Sequence, residues 1–416
     1  MKNILVVEDS KSVSSAIQTL LIKELNCNCV VAASKKEASA LLLEYKGKFS
    51  VALLDLGLPD APNGEIVDFV TKFDIPTVIL TGSNLEKDET KFRNKNIVDY
   101  VVKDGIYSFN YALNVVKRIV SNYQQKVLVV DDSKSFLKLA VDLIDRYKLT
   151  SYTALNGEEA LKVLDEHPDI KIVLTDYNMP VIDGLELTRK IRKRYSKDEL
   201  SIIVTSSNSN NRVPSKFLKY GANDFLYKGF TEEEFYARLN ANLEILELFD
   251  DVRKQANTDH LTGLYNRRYL FSNGIAMYEI AKQNADKFAV AILDIDKFKK
   301  INDSYGHDVG DIAIQEVSRI LHENITKDAL IARLGGEEFC VLLTNRNKNE
   351  VESLLEDIRK DFEKNLITTS VGELSYTVSI GCSFEFQSNL DEMIQSADDG
   401  LYDAKDSGRN QVRYRK

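Results

Sequence analysis

The sequence predicts an all-α/β chain in which two doubly wound parallel-sheet domains are followed by a third α/β domain. Three observations carry this. The stretch Ile4-Leu5-Val6-Val7-Glu8-Asp9-Ser10 recurs as Val127-Leu128-Val129-Val130-Asp131-Asp132-Ser133. Later apolar runs recur at nearly the same offset, with amphipathic segments between them, the mark of an internal duplication with alternating strands and helices. Beyond residue 250, the stretch Arg333-Leu334-Gly335-Gly336-Glu337-Glu338-Phe339 joins two apolar runs, as a hairpin does.

Bulk composition fits this reading. The chain has 416 residues, 44% of them hydrophobic and 29% charged, long enough for two to four domains. A net charge of −9 argues against nonspecific binding to nucleic acid or an anionic membrane. No apolar run approaches the ~20 residues that span a bilayer, so no membrane insertion is expected. Glu8 and Asp9 interrupt the N-terminal apolar run too early for a signal peptide. Cys27, Cys29, Cys340 and Cys382 lie in or beside apolar runs and read as buried, reduced thiols. A cytoplasmic location is expected.

In each of the first two copies, an opening strand ends in an acidic pair and a serine able to cap the next helix. Val51-Ala52-Leu53-Leu54-Asp55 answers to Ile172-Val173-Leu174-Thr175-Asp176. Val78 to Thr81 answers to Ile202 to Thr205, and Tyr100 to Lys103 answers to Phe225 to Lys228. Functional groups of such sheets gather at the carboxyl ends of the strands, where all these residues fall. Three carboxylates, a hydroxyl and a lysine converging there suit a divalent cation beside an acceptor aspartate. Each copy resembles the receiver domain of two-component response regulators, with its flavodoxin-like fold. The resemblance implies that Asp55 and Asp176 accept a phosphoryl group. It also implies that Glu8, Asp9, Asp131 and Asp132, with the carbonyls of Gly57 and Asn178, hold the metal. Thr81, Thr205, Lys103 and Lys228 would contact the phosphoryl group, and Tyr100 and Phe225 would be the switch aromatics. The copies depart from the family where Asp104 and Gly229 follow the lysines in place of proline.

From Thr231 to Asn257 no Gly or Pro interrupts the chain, and Glu232-Glu233-Glu234 suits a helix N-terminus. A connecting helix over about 231–257 is expected, with an apolar stripe through Phe235, Leu239, Leu243 and Leu246. The first part packs on the second copy. Beyond Leu246 a helix from a second subunit becomes a plausible partner.

In the third domain the two glycines supply φ > 0 for a two-residue turn, so Glu337 and Glu338 would begin the second strand. Asp294-Ile295-Asp296 ends another apolar run. If the two strands pair, Asp294 meets one glutamate at a sheet edge, an oxygen site suited to Mg²⁺. Residues 335–339 resemble the GGDEF signature of diguanylate cyclases, which have a nucleotidyl cyclase-like fold. So do Asp259 to Arg268, Asp294 to Asp303, Gly306 to Asp311, and Ala397 to Asn410. The resemblance implies condensation of two GTP into cyclic di-GMP with release of pyrophosphate. Asp294, the Ile295 carbonyl and Glu337 would hold Mg²⁺ (or Mn²⁺), with Glu338 as second ligand or general base. Lys299, Lys405 and Arg409 would contact the triphosphate, the last two from one face of a helix. Asn302 and Asp311 would read guanine, with Phe298, Gly335 and Gly336 beside the nucleotide. A homodimer is implied, because each domain holds one GTP. The partners implied are GTP and a cognate histidine kinase or phosphotransfer protein.

The expected domains are 1–122, 123–247 and 248–416. Thr326-Lys327-Asp328-Ala329 stands where many family members carry an Arg-x-x-Asp inhibition site, so weak or absent product inhibition is expected. A non-catalytic nucleotide sensor of the same fold is the alternative. Asp294, Glu337, Glu338 and Lys405, which a sensor does not need, favour the enzyme. A DNA-binding output is disfavoured, since no basic recognition helix follows the receivers.

Overall fold

The computed structural model describes residues 2–82, 91–92, 95–104, 106–207, 217–325, 329–369 and 372–415. The chain divides into two compact units, Met1–Phe249 and Asp250–Lys416.

The first unit contains both copies of the repeat. Copy one runs β1 (Asn3–Val7), α1 (Lys11–Leu25), β2 (Asn28–Ala32), α2 (Lys35–Glu44), β3 (Val51–Asp55), α3 (Glu65–Val70), β4 (Thr77–Thr81), β5 (Ile97–Val102) and α4 (Ile106–Asn122). Its sheet is parallel throughout, in the order β2-β1-β3-β4-β5. Copy two runs β6 (Lys126–Val130), α5 (Lys134–Arg146), β7 (Thr150–Ala154), α6 (Gly157–Glu166), β8 (Ile172–Asp176), α7 (Gly184–Arg192), β9 (Ser201–Ser206), β10 (Asp224–Tyr227) and α8 (Glu232–Asn257). Its order, β7-β6-β8-β9-β10, is the same topology.

Helices cover both faces of each sheet, which is why the strands are unbroken apolar runs rather than alternating ones. Ile4 and Val6 of β1 enter one core while Leu5 and Val7 enter the other. Val127 and Val129 are divided from Leu128 and Val130 in the same way. The two serines after the acidic pairs behave differently. Each hydroxyl pairs with the serine two residues on, but only Ser133 also accepts the Phe136 N–H as a helix cap, and Ser10 makes no side-chain capping bond.

The copies are joined by more than the chain. Val98 of β5 packs against the core of copy two, and the fully buried Asn122 donates its amide to the Tyr147 carbonyl at 2.9 Å. Lys148 pairs with Asp74, and Arg118 with Glu247 on α8. Helix α8 buries Phe235, Leu239, Asn242, Leu243 and Leu246, and leaves Ile245, Leu248, Phe249 and Val252 exposed.

The second unit runs β11 (Tyr265–Asn266), α9 (Arg267–Asn284), β12 (Phe288–Ile295), α10 (Phe298–Tyr305), α11 (His307–Asn324), β13 (Ala329–Gly335), β14 (Glu338–Thr344), α12 (Lys348–Lys364), β15 (Ile367–Thr369), β16 (Gly372–Leu374), β17 (Val378–Ser383), α13 (Leu390–Asp406) and β18 (Val412–Arg415). Six strands form one mixed sheet, β11-β13-β14-β12-β17-β18, and β15 and β16 form a separate pair. Alternate residues of β12 again feed two cores, Ala289, Ala291, Leu293 and Ile295 on one face and Phe288, Val290 and Ile292 on the other. Helix α13 lies directly on β17, where Gly381 faces the backbone of Ala397 to Leu401.

All four cysteines are free and buried. Burial pushes the Cys29 and Cys340 thiols up to about 12. Among the described residues no helix is long and apolar enough to cross a membrane. Thr326, Lys327 and Asp328, on which the product-inhibition reading rests, lie outside the described residues.

Candidate functional site

The ladder between β12 and β14 sets Asp294 directly opposite Glu338. β13 and β14 are joined at Gly335 and Gly336, with φ of 149° and 56°. The two-residue turn is Gly336-Glu337, not Gly335-Gly336, because Gly335 stays in the ladder opposite Glu338 across a register shift. Glu337 therefore sits in the turn itself, half-buried, and Glu338 begins β14 exposed.

Asp294 is buried between β14 and β17, and Lys405 of α13 reaches its Oδ2 at 2.8 Å. Burial raises the Asp294 carboxyl to about 6; Lys405 opposes the rise, and Glu337 and Glu338 add to it. Asp296 has a different environment. Its oxygens accept from the Thr377 and Ser379 hydroxyls, both at 2.6 Å, and from the Asn410 N–H at 3.0 Å. It ties the end of β12 to β17 and to the turn after α13.

Arg409 corrects the sequence reading. Helix α13 ends at Asp406, and Gly408, Arg409 and Asn410 all have positive φ, so Lys405 and Arg409 do not share a helix face. Gly408 stops the helix, and the Arg409 N–H closes back on the Ala404 carbonyl. Asn302, on α10, packs against α11 where Gly310 leaves room; a Cβ there would lie 2.0 Å from Asn302 Oδ1. That oxygen is buried without a hydrogen-bond partner among the described residues. Phe298 packs on the core, while Lys299 and Asp311 are exposed.

Reasoning from sequence missed one ionic link. Arg333 donates to the Gly336 carbonyl at 2.9 and 2.7 Å and to Asp259 at 3.0 Å. It thus pins the Gly336-Glu337 turn to the Asp259–Thr262 loop. Burial of Asp259 disfavours its charge, but Thr262 and Arg333 outweigh this and hold the carboxyl below its ordinary value. The residues are 74 apart in sequence, and only the arginine's place just before the glycines hints at the pair.

In the first unit, two carboxylate trios have oxygens all within 4.8 Å: Glu8, Asp9 and Asp55, and Asp131, Asp132 and Asp176. Among the described residues Asp294, Glu337 and Glu338 do not form a third trio this tight. Lys103 lies 2.8 Å from both Glu8 and Asp55, and Lys228 lies 2.7 Å from Asp131 and 2.9 Å from Asp176. Burial raises the Asp176 carboxyl, with Lys228 opposing. Thr81 and Thr205 are buried at the ends of β4 and β9, and Tyr100 and Phe225 are half-buried on β5 and β10. Gly57 and Asn178 are exposed in the loops after the two aspartates; the Gly57 N–H donates to Asp55. All-oxygen donor sets beside a lysine fit a hard divalent cation.

Comparisons with known proteins identify the family. A model of the diguanylate cyclase GGDEF domain matches residues 256–411, and one of the response regulator receiver domain matches 127–240. A solved two-component response regulator/GGDEF domain protein is 37% identical, with a TM-score of 0.55; the match covers 59% of this chain and all of that one. The chain belongs to the GGDEF response regulators. Response regulator PleD of Caulobacter vibrioides is 25% identical over 98% of both chains. Diguanylate cyclase DosC of Escherichia coli is 39% identical over 40% of this chain and 37% of its own length. As a GGDEF response regulator, the chain has a diguanylate cyclase output domain, a divalent-metal-dependent class that takes GTP. Its matched receiver domain implies a phosphodonor.

Proposed function

We propose that both copies of the repeat are phosphoacceptor receivers and that they control condensation of two GTP into cyclic di-GMP. The observation that carries the catalytic reading is Asp294 facing Glu338 across β12 and β14, with Glu337 in the adjoining turn and Lys405 on Asp294. In each half-reaction a ribose 3′-oxygen bonds to the α-phosphorus of the other GTP. The bond to the β-phosphate oxygen breaks, pyrophosphate leaves, and the hydroxyl loses its proton. Asp294, the Ile295 carbonyl and Glu337 are the residues suited to hold Mg²⁺ (or Mn²⁺), all offering hard oxygen donors. A divalent ion bound there supplies charge neutralisation at the phosphates and acidifies the attacking hydroxyl.

The chain's own residues do the rest. Glu338, exposed beside Asp294, serves as second ligand or takes the hydroxyl proton. Lys405 is freed from Asp294 once that carboxylate has another cationic partner, and it then joins Lys299 and Arg409 on the triphosphate. Asn302 and Asp311 read guanine, Asp311 accepting from N1–H and N2–H₂. Apart from the glycines and their chain neighbours, no atom of the described residues lies within 4 Å of where Cβ atoms of Gly335 and Gly336 would stand, so backbone and nucleotide can approach closely there. Phe298 holds α10 to the core beneath the guanine.

In the receivers, Asp55 and Asp176 take the phosphoryl group from a histidine kinase or phosphotransfer protein. Glu8, Asp9, Asp131 and Asp132, with the Gly57 and Asn178 carbonyls, hold the cation. Thr81 and Thr205 bind the phosphoryl oxygens, Lys103 and Lys228 neutralise them, and Tyr100 and Phe225 report the change. The domains are 1–122, 123–247 and 248–416.

Two active sites must face each other, which requires a homodimer. The exposed Ile245, Leu248, Phe249 and Val252 recur at helical spacing on α8 and support a helix of the second copy as their partner. The test is product formation from GTP and Mg²⁺ by purified protein, with and without beryllofluoride, with Glu338→Ala as control. Cyclic di-GMP that rises with the phosphate mimic and vanishes in the variant is expected. A dimeric, GTP-binding protein that makes no product would overturn the reading.

A further inference from the structure

Next to the Asp296-Lys297 turn, a cavity of about 460 Å³ opens between α10, the segment Leu374–Thr377 and the Gly408–Asn410 turn. That volume lies in the range of small-ligand sites. Its floor is apolar, formed by Ile301, Leu374 and the ring of Tyr376, whose hydroxyl is engaged by the Ala313 carbonyl. Three cations line it, Lys297, Lys300 and Arg409, and none of their side chains has a hydrogen-bond or ion-pair partner among the described residues. Of the lining carboxylates, Asp296 is engaged as described and Glu363 is held by Arg359 at 3.0 Å and by Asn410 at 2.9 Å. Only Glu373 is left, exposed and likewise unpartnered.

Arg409 serves the GTP triphosphate, which leaves Lys297 and Lys300 as two uncommitted positive charges against one negative; they call for an anionic ligand, and the apolar floor calls for one with a flat hydrophobic part. We propose that this cavity is a second nucleotide site, taking a nucleoside monophosphate with guanine preferred. The phosphate engages Lys297 and Lys300 and the base lies on the apolar floor. Glu373 accepts from the base edge, where guanine offers two donors side by side and adenine does not.

The test loads the full chain with Mg²⁺ and saturating guanosine 5′-(α,β-methylene)triphosphate, which cannot release pyrophosphate and keeps the reaction centre occupied. GMP, AMP and inorganic phosphate are then titrated calorimetrically. One further GMP per chain is expected, bound more tightly than AMP or phosphate. Lys300→Ala and Glu373→Gln should each weaken GMP by roughly tenfold or more, as loss of a charge-assisted contact does. Both side chains are exposed, and both variants should turn over GTP as the parent does, which separates this inference from the cyclase reading. No additional GMP, phosphate bound as tightly as GMP, or unchanged affinity in the two variants would overturn it.

Discussion

Replacing Gly381 by alanine tests how α13 holds Lys405 in place. A Cβ at Gly381 would fall 2.0 Å from the Ala397 carbonyl oxygen and 2.1 Å from the Leu401 nitrogen. Non-bonded heavy atoms prefer about 3.5 Å or more, so α13 must retreat by roughly 1.5 Å. The clash is with backbone, which cannot rotate aside, so the cost should reach the upper end of the ~1–3 kcal/mol typical of overpacking. The same retreat carries Lys405, one turn beyond Leu401, away from Asp294. A misplacement of about 1 Å can cost on the order of a hundredfold in rate. Urea unfolding and initial rates of cyclic di-GMP formation read the two effects separately. If Gly381→Ala matches the parent in both midpoint and rate, direct packing of α13 on β17 is not what positions Lys405.

Other perturbations have equally definite outcomes. Asp296→Ala leaves two hydroxyls and an N–H without their acceptor and should lower stability by about 2–4 kcal/mol in urea unfolding. Arg333→Ala should slow turnover more than it destabilises, because the turn bearing Glu337 loses its anchor; Arg333→Lys should not restore it, lacking the planar fork. Full activity in Arg333→Ala would remove that anchor from the account. A double-mutant cycle on Arg118 and Glu247 should give a coupling below about 1 kcal/mol, since Glu247 is partly exposed to water. Asp55→Asn and Asp176→Asn should each remove one hydroxylamine-labile phosphate per chain after treatment with a phosphodonor. A variant that keeps the parental phosphate content would exclude its aspartate as an acceptor.

Strand and helix order was legible because buried parallel strands require long apolar runs and their duplication repeats the signal. The meeting of Asp294 with a glutamate was legible because paired strands that end in acidic residues bring them together. The turn itself was not. Gly335 and Gly336 both tolerate positive φ, so nothing local decides which one leaves the ladder, and Glu337 moved from strand to turn. Arg409 was placed on the helix with Lys405, although Ser407-Gly408 carries a helix-stop signal that outweighs the four-residue spacing. The Arg333–Asp259 link and the seat of Asn302 against Gly310 depend on contacts between distant segments, which no local pattern encodes.

The contact between the two copies bears on their history. A duplicated module can be lost, exchanged or left to drift only while its surface belongs to it alone. Here Val98 of copy one closes the core of copy two, and Asn122 is buried against the Tyr147 carbonyl. Excising copy one would expose apolar surface and strip that carbonyl of its donor, so damage to either copy falls on both. The two copies therefore share one packing surface within the first 249 residues, and a change on either side of it is felt by both.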